Sequence, residues 1–358
     1  MYNMVHRLSD YFDFFIVTGD RDLGDEKPNP ELSLDHWISF STAQVMYVSS
    51  KNQKIKTFRK IIDEVHPDTI YLNSLFSFNF SLIPLWLKKR FPDIRFVLAP
   101  RGMLAKGAME IKKKKKEVFI GIARIVRFYT GLVWHATHQG EKEDIEKVFG
   151  NNNPIHVAGN IATVPQYTFK NIMKLKHNGF QVKKFLFVSR FSRIKNVELL
   201  IQWFREFTPK YKGIKLKLIG TLEDEGYYRE LKEQVDQCDH ITMHLAMNPR
   251  DLAKYYAEAH FFCLPTRSEN FGHVIIEALS YGCPVLISDR TPWRDLESKD
   301  IGWDLPLDQP NKFRERIEEC IQMTEKEFLR KSEAASMFAH EFIFESGILK
   351  TYTKLLQP

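Results

Sequence analysis

Five short apolar runs in the second half of the chain lack internal alternation: FLFVS (185–189), LKLIG (216–220), ITMHL (241–245), FFCLP (261–265) and VLISD (285–289). Amphipathic stretches near 195–207, 224–236, 249–258 and 272–281 separate them. A strand that is apolar on both faces has to be covered on both, and helices lying between such strands do this for a parallel sheet. The pattern predicts a doubly wound α/β domain, whose ligands gather at the carboxyl ends of its strands.

The first half alternates less regularly, with strands expected at FFIVTG (14–19), TIYLN (69–73), RFVLAP (95–100) and LVWHAT (132–137). Helices are expected at 53–65, 81–90, 113–128 and 140–149. Residues 159–179 show neither a sustained strand nor a helical face, so the boundary belongs there. We divide the chain into a first domain at 1–163, a linker at 164–182 and a second domain at 183–337, with a final helix in 338–358. The chain opens on a helix-like MVHRLSDYF, where a doubly wound domain normally begins with a strand and a glycine-rich turn. The first domain is therefore expected to lack its first strand.

The net charge of +7 is unevenly placed: residues 51–127 hold 18 Lys and Arg against 6 Asp and Glu, which leaves the rest of the chain at −5. An excess of this size suits an anionic partner such as phosphate, an acidic membrane or nucleic acid. Nucleic acid is disfavoured, because no reading motif is present and the aromatics sit in strands rather than among the lysines. Four irregularly spaced cysteines, Cys238, Cys263, Cys283 and Cys320, fit neither a disulfide framework nor paired zinc knuckles, and point to a reducing cytoplasm. No secretory pattern opens the chain. The uncharged run Thr69–Leu87 is broken by Asn73, Ser74, Ser77, Asn79, Ser81 and Pro84, and reads as a strand and a helix start, not a membrane span.

The densest chemistry lies in Leu264–Trp293, where a strand ends, a polar turn carries Glu269, and a helix begins near Phe271. Asn270, Phe271 and Gly272 would offer backbone N–H groups and the positive end of a helix dipole, which suits a phosphate or a sugar edge. Glu277, eight residues after Glu269, could accept two hydrogen bonds from a vicinal diol such as a ribose. At the end of the domain's first strand, VSRFSRIKN places Arg190 and Lys195 across a strand-to-helix turn, the pairing expected for a diphosphate leaving with extra negative charge. A nucleoside diphosphate sugar satisfies every one of these groups.

Arg190 with Lys195, Glu269 and Glu277 around Asn270-Phe271-Gly272, and Gly282-Cys283-Pro284-Val285 together resemble the retaining glycosyltransferases of family 4, the glycosyl transferases group 1. PRGML (100–104), HAT (135–137), TPW (291–293) and Gly302-Trp303 are similar to a bacterial exopolysaccharide and lipopolysaccharide branch. The resemblance implies the GT-B fold, an α/β architecture of two facing Rossmann-like domains, with the last helix crossing back to the first domain. It implies that Arg190 and Lys195 bind the donor diphosphate, that Glu277 holds the ribose, and that Glu269 with residues 270–272 positions the transferred sugar. Gly220, which ends the second strand of that domain, joins the donor-binding set. The implied reaction retains anomeric configuration by front-face attack without a protein nucleophile, a metal or a cofactor, onto a glycan or lipid-linked acceptor. The chain departs from the family pattern at Asn196, where a glycine often follows the lysine, at Met243-His244-Leu245, and at Arg101, where relatives carry a histidine.

On the acceptor side the candidates are Arg101, Gly102, His135 and His138, the two histidines reading equally well as core or capping groups. Asp20-Arg21-Asp22 imitates a metal-binding D-x-D, although a polar loop is the commoner meaning of one such pair. Lys112, Lys113, Lys114, Lys115 and Lys116, followed by VFIGIARIVRF with Arg124 and Arg127, suggest an interfacial helix on anionic lipid, against a solvated charge run beside a core helix. Competing functions are a GT-B-like epimerase or phosphorylase, and a non-catalytic protein that binds anionic surfaces.

Overall fold

The computed structural model describes residues 2–21, 27–110, 113–207, 209–345 and 347–357. The chain forms two compact units, Met1–Ile161 with Gly347–Pro358, and Ala162–Ser346.

The first unit holds two sheets. Strands β1 (Phe14–Gly19), β2 (Trp37–Phe40) and β3 (Ala43–Val48) form one, in the order β1-β3-β2, with β1 parallel and β2 antiparallel to β3. Strands β4 (Thr69–Leu72), β5 (Arg95–Leu98), β6 (Val133–Ala136) and β7 (Ile155–Val157) form a parallel sheet in sequence order. Sequence reading anticipates β1, β4, β5 and β6 but not β2, β3 or β7.

Side chains of β4 alternate between two helical layers. Tyr71 packs with Met4 and Leu8 of α1 (Tyr2–Leu8), whereas Ile70 packs with Phe58 and Ile62 of α2 (Ile55–Val65). Two more helices, α3 (Lys113–Ile125) and α4 (Gln139–Phe149), follow β5 and β6. Among the described residues no hydrogen bond joins β1 to β4, and a cavity of about 540 Å³ lies between them.

The second unit is built on one parallel sheet of six strands: β8 (Lys183–Val188), β9 (Ile214–Gly220), β10 (Ile241–Leu245), β11 (Phe261–Leu264), β12 (Val285–Ser288) and β13 (Gly302–Leu305). Their order is β10-β9-β8-β11-β12-β13. β11 and β12 are buried at every position, as strands covered on both faces must be. The order reverses direction between β8 and β11, where the crevice of a doubly wound sheet opens.

The segment 164–182 is not a linker. Residues Phe169–Asn178 form helix α5, capped by Thr168, whose hydroxyl accepts from Asn171 N–H at 3.4 Å. Ile172 and Lys176 of α5 are buried in the second unit. The Lys176 ammonium donates to the carbonyls of Ala259 and Tyr256 and lies 3.3 Å from the Cys283 sulfur. A lysine on the inward face masks the helical period in the sequence.

Helices α6 (Val197–Phe207), α7 (His273–Ser280) and α8 (Glu325–His340) complete the elements that matter below. The expected break at 337 falls inside α8, and the chain leaves the second unit only at 346. A separate helix, α9 (Ile348–Leu356), then packs in the first unit. Thr69 donates to Leu356 O at 2.7 Å, Arg95 to Leu355 O at 3.1 Å, and Tyr352 and Leu355 are buried against Met4, Val97 and Val133.

Candidate functional site

In the second unit the loops that follow β8 and β11 are fastened together, because these strands are neighbours. The Ile194 carbonyl accepts from Arg267 N–H at 2.7 Å and from the Thr266 hydroxyl at 3.2 Å. This draws the single helical turn Arg193–Lys195 over the β11 loop. Asn196 then turns the chain into α6 at φ 58, the left-handed conformation that asparagine tolerates best after glycine.

Lys195 is buried, and its ammonium sits 2.7 Å from Glu269 Oε2. Glu269 Oε1 accepts from Asn270 N–H at 3.1 Å. Gly272 has φ 77, and a Cβ there would lie 2.7 Å from Ile275 Cδ1 and 3.1 Å from Glu269 Cγ, so the turn requires glycine. α7 begins at the next residue and brings its positive end to the Glu269 turn. The Phe271 ring packs on Trp293 and Phe342, while its carbonyl accepts from the Trp293 indole N–H at 2.5 Å. Phe271 therefore offers a ligand its backbone and not its ring.

Glu277 lies one helical turn further on. Its Oε1 accepts from the Thr163 hydroxyl at 3.2 Å and its Oε2 from the Tyr256 hydroxyl at 3.3 Å. Burial holds its carboxyl above the ordinary range, against these two hydrogen bonds. Tyr256 is itself stacked on Tyr281 at 5.6 Å. Thr163, Tyr256 and Trp293 are supports that sequence reading did not assign, and only Trp293 had a local signal, the TPW motif.

Arg190 is not drawn into this cluster; its exposed guanidinium pairs with Glu223 at 2.8 Å. Gly220 has a structural reason to be glycine, since a Cβ there would stand 1.8 Å from the Ser189 carbonyl.

In the first unit Arg101 sits at φ 56 on the turn after β5. It donates to Asn73 Oδ1 at 2.6 Å, to the Tyr71 hydroxyl at 2.9 Å and to Asn160 Oδ1. All three are neutral oxygens, and among the described residues no carboxylate forms an ion pair with Arg101. The adjoining Gly102 N–H donates to Glu141 Oε1 at 2.5 Å, and Glu141 Oε2 accepts from the Thr137 N–H and hydroxyl. Glu141, missed in the sequence, is the buried clasp of this turn.

Of the two readings open for His135, the structure shows the core one. It is fully buried, with Nδ1 2.6 Å from the Tyr71 hydroxyl and Nε2 2.8 Å from Ala158 O, so neither nitrogen is free for a ligand. Burial and the Arg101 charge bring its pKa down to about 4. His138 caps α4, accepting from Glu141 N–H at 3.3 Å.

The Asp20 carboxylate accepts from Arg21 and Ser50, which hold its pKa at about 2; Asp22 lies outside the described residues. Lys112 lies outside them as well. Lys113, Lys114, Lys115, Arg124 and Arg127 are exposed, but Lys116 turns inward to the Ala108 carbonyl and the Phe76 ring, and leaves the surface set. Among the described residues no helix is long and apolar enough to cross a membrane.

Residues 171–335, just under half of the chain, match the family model "Glycosyl transferases group 1". An uncharacterized glycosyltransferase of Haemophilus influenzae is 23% identical over 59% of this chain, and the matched stretch spans 57% of that protein's length. An uncharacterized 41.2 kDa protein in the cps region of Klebsiella pneumoniae is 25% identical over 69% of this chain and 67% of its own. Among solved structures, sucrose-phosphate synthase from Thermosynechococcus elongatus superimposes with a TM-score of 0.73 at 14% identity, covering 99% of this chain and 90% of that one. Anabaena HepE in complex with UDP and glucose gives 0.66 at 15% identity, covering 87% and 85%. The chain thus has the α/β fold with parallel sheets seen in GT-B glycosyltransferases, and Lys195, Glu269 and Glu277 all lie in the stretch 171–335 that matches the glycosyl transferases group 1 model.

Proposed function

We propose that this protein is a retaining glycosyltransferase of family 4 that moves a hexosyl unit from a nucleoside diphosphate sugar to a glycan or lipid-linked acceptor in the biosynthesis of a cell-surface polysaccharide. The observation that carries this reading is the Lys195–Glu269 pair at the carboxyl edge of β8 and β11, beside the N-terminus of α7, with the Glu277 carboxylate one turn along. Lys195 would meet the diphosphate, helped by Arg190 once that exposed side chain leaves Glu223. Glu269, released from Lys195 by the phosphates, would grip the hydroxyls of the transferred sugar, and Glu277 the ribose. As the glycosidic bond to the diphosphate breaks, Lys195 and the α7 amides would stabilise the charge gathering on the leaving oxygens. A phosphate oxygen takes the proton of the attacking hydroxyl on the same face. The UDP and glucose held by HepE, and the cps location of the Klebsiella relative, support the donor class and the pathway class. A thermal-shift screen against UDP, GDP, ADP and their sugars tests the reading, since a ligand that binds the native state raises its melting temperature.

The pH dependence follows from Glu277. Its folded pKa is raised, so the folded state binds this proton more tightly than the unfolded state does, and the group lowers stability as pH rises through the interval. Its ionised form is the one that accepts a diol. Nucleotide affinity should therefore weaken as pH falls, with the loss beginning above the ordinary carboxylate range. Glu277→Gln should bind more weakly at neutral pH and show no such slope. A parallel slope in both proteins would remove Glu277 from the site.

We place the acceptor at an anionic membrane surface, on the support of α3. Val118, Ile122 and Ile125 are 63%, 57% and 83% exposed, while Ile120 and Ala123 face the core, so the apolar stripe points to solvent. Lys114 and Lys115 flank it at helical spacing, the arrangement of a helix lying in a headgroup layer. The triple change of Val118, Ile122 and Ile125 to Ser should weaken binding to phosphatidylglycerol vesicles by at least about tenfold, since each buried apolar side chain is worth about 1.5–3 kcal/mol. Unchanged flotation with these vesicles would exclude the surface.

A further inference from the structure

Lys176 and Cys283 are fully buried in the second unit, and the donor reading uses neither. We propose that this pair is an oxidative modification site, at which dioxygen joins the Lys176 nitrogen to the Cys283 sulfur through a single bridging oxygen and so staples α5 to the junction of α7 and β12.

The contact is built from several sides. Lys176 extends from α5, and Cys283 lies between Gly282, which turns the chain at φ 61 after α7, and the start of β12. Their Nζ and Sγ atoms are 3.3 Å apart. Both meet the same two main-chain oxygens at the end of the helix Pro249–Glu258. Nζ donates to Ala259 O and lies 3.5 Å from Tyr256 O, while the thiol lies 3.4 Å and 3.3 Å from the same atoms. Shared acceptors thus hold the reacting atoms together before any oxidant arrives.

The surroundings favour an uncharged pair. Among the described residues no carboxylate forms an ion pair with Lys176. Burial lowers its pKa, as does the Lys184 charge, with Cys283 opposing them, so the lone pair of the neutral amine becomes available. Burial raises the Cys283 thiol, which therefore resists the thiolate route by which peroxides oxidise an exposed cysteine. Dioxygen, small and apolar, enters a packed core through local opening. In the reaction the amine loses one N–H and the thiol its S–H, the N–O and O–S bonds form, and the O–O bond breaks. The second oxygen atom leaves as water with both hydrogens. Nitrogen and sulfur each give up two electrons, and dioxygen takes up all four. One oxygen spans most of the 3.3 Å that a direct N–S bond would have to close. Cys263 and Cys320 are equally buried, but among the described residues no lysine hydrogen-bonds to either, so the chemistry selects Cys283. The bridge would close 107 residues of chain beside Tyr256, whose hydroxyl donates to Glu277. It rests on the core of the second unit and not on the donor reading.

The test compares protein purified under nitrogen with dithiothreitol and the same protein exchanged into air-saturated buffer, by intact mass and tryptic peptide mapping. In air the mass should rise by one oxygen less two hydrogens, and a cross-linked peptide should join residues 176 and 283. The melting temperature should rise by at least about 5 °C, because a link across so long a loop restricts the unfolded chain. Dithiothreitol should return both to the values of protein kept under nitrogen. Cys283→Ser and Lys176→Met should abolish the mass change, and Cys263→Ala should keep it. Should a variant fail to fold, the native protein decides alone. An unchanged mass in air, whole oxygen atoms gained on Cys283 without a link, or a link that has lost two hydrogens and gained no oxygen would each overturn the proposal.

Discussion

Lys195→Ala should lower sugar transfer by about 10²–10³-fold, the usual loss when one preorganised group facing a developing anion is removed. The substitution acts on two things, because Lys195 is buried and holds Glu269 at 2.7 Å. Removing the ammonium leaves a partly buried carboxylate without its partner, which destabilises the loop before any ligand arrives. The two contributions separate by comparison with Glu269→Ala. That variant keeps the cation, so it should still be stabilised by the free nucleoside diphosphate while losing transfer by a similar factor. Lys195→Ala should lose both the nucleotide-dependent thermal shift and transfer. Initial rates and melting temperatures of the two single variants and the double variant decide the matter. Wild-type turnover in both single variants would sink the assignment, and so would an equal nucleotide shift in Lys195→Ala and the native protein.

Gly220→Ala should cause a large loss of stability through a single added methyl group. The new Cβ would stand 1.8 Å from the Ser189 carbonyl oxygen and 3.3 Å from the Phe191 ring, so β9 and the β8 loop must separate. Overpacking of this kind costs about 1–3 kcal/mol and more when backbone has to move. For a unit of this size about 3 kcal/mol lowers the melting temperature by about 6–12 °C. Gly121→Ala in α3 is the control, because nothing lies within 4 Å of its Cβ position and alanine favours the helix. Calorimetry should show the transition of the second unit falling in Gly220→Ala and staying in place in Gly121→Ala. An unchanged transition in Gly220→Ala would mean that the strand ends are not packed as described.

The parts of the fold legible in the sequence are those with one dominant physical cause. β11 and β12 are buried on both faces, and FFCL and VLIS read as strands without knowledge of any neighbour. The β2–β3 hairpin gave no such signal. Its turn runs through Ser41 at φ 55, a position where glycine or asparagine would have marked the turn. Helix α5 was hidden by Lys176, whose burial is made possible by carbonyls 80 and 83 residues away. In the site, Lys195, Glu269 and Glu277 were nameable because their residue types and spacing state a chemistry. That Lys195 touches Glu269 follows from the adjacency of β8 and β11, a property of strand order that no local pattern carries. The same holds for Thr163 and Tyr256 on Glu277, and for the Tyr71–His135–Arg101 chain, where histidine placed by a motif became a support once both its nitrogens were occupied.

The chain leaves the first unit at Ile161 and returns to it at Gly347. During synthesis the whole of residues 162–346 is therefore made before the nine residues of α9, whose carbonyls accept from Thr69 and Arg95 and whose Tyr352 and Leu355 close the Met4 and Val97 core. A chain cut ahead of Gly347 keeps every residue of the second unit but takes from the first the carbonyls that Thr69 and Arg95 use and the side chains that close its Met4 and Val97 core.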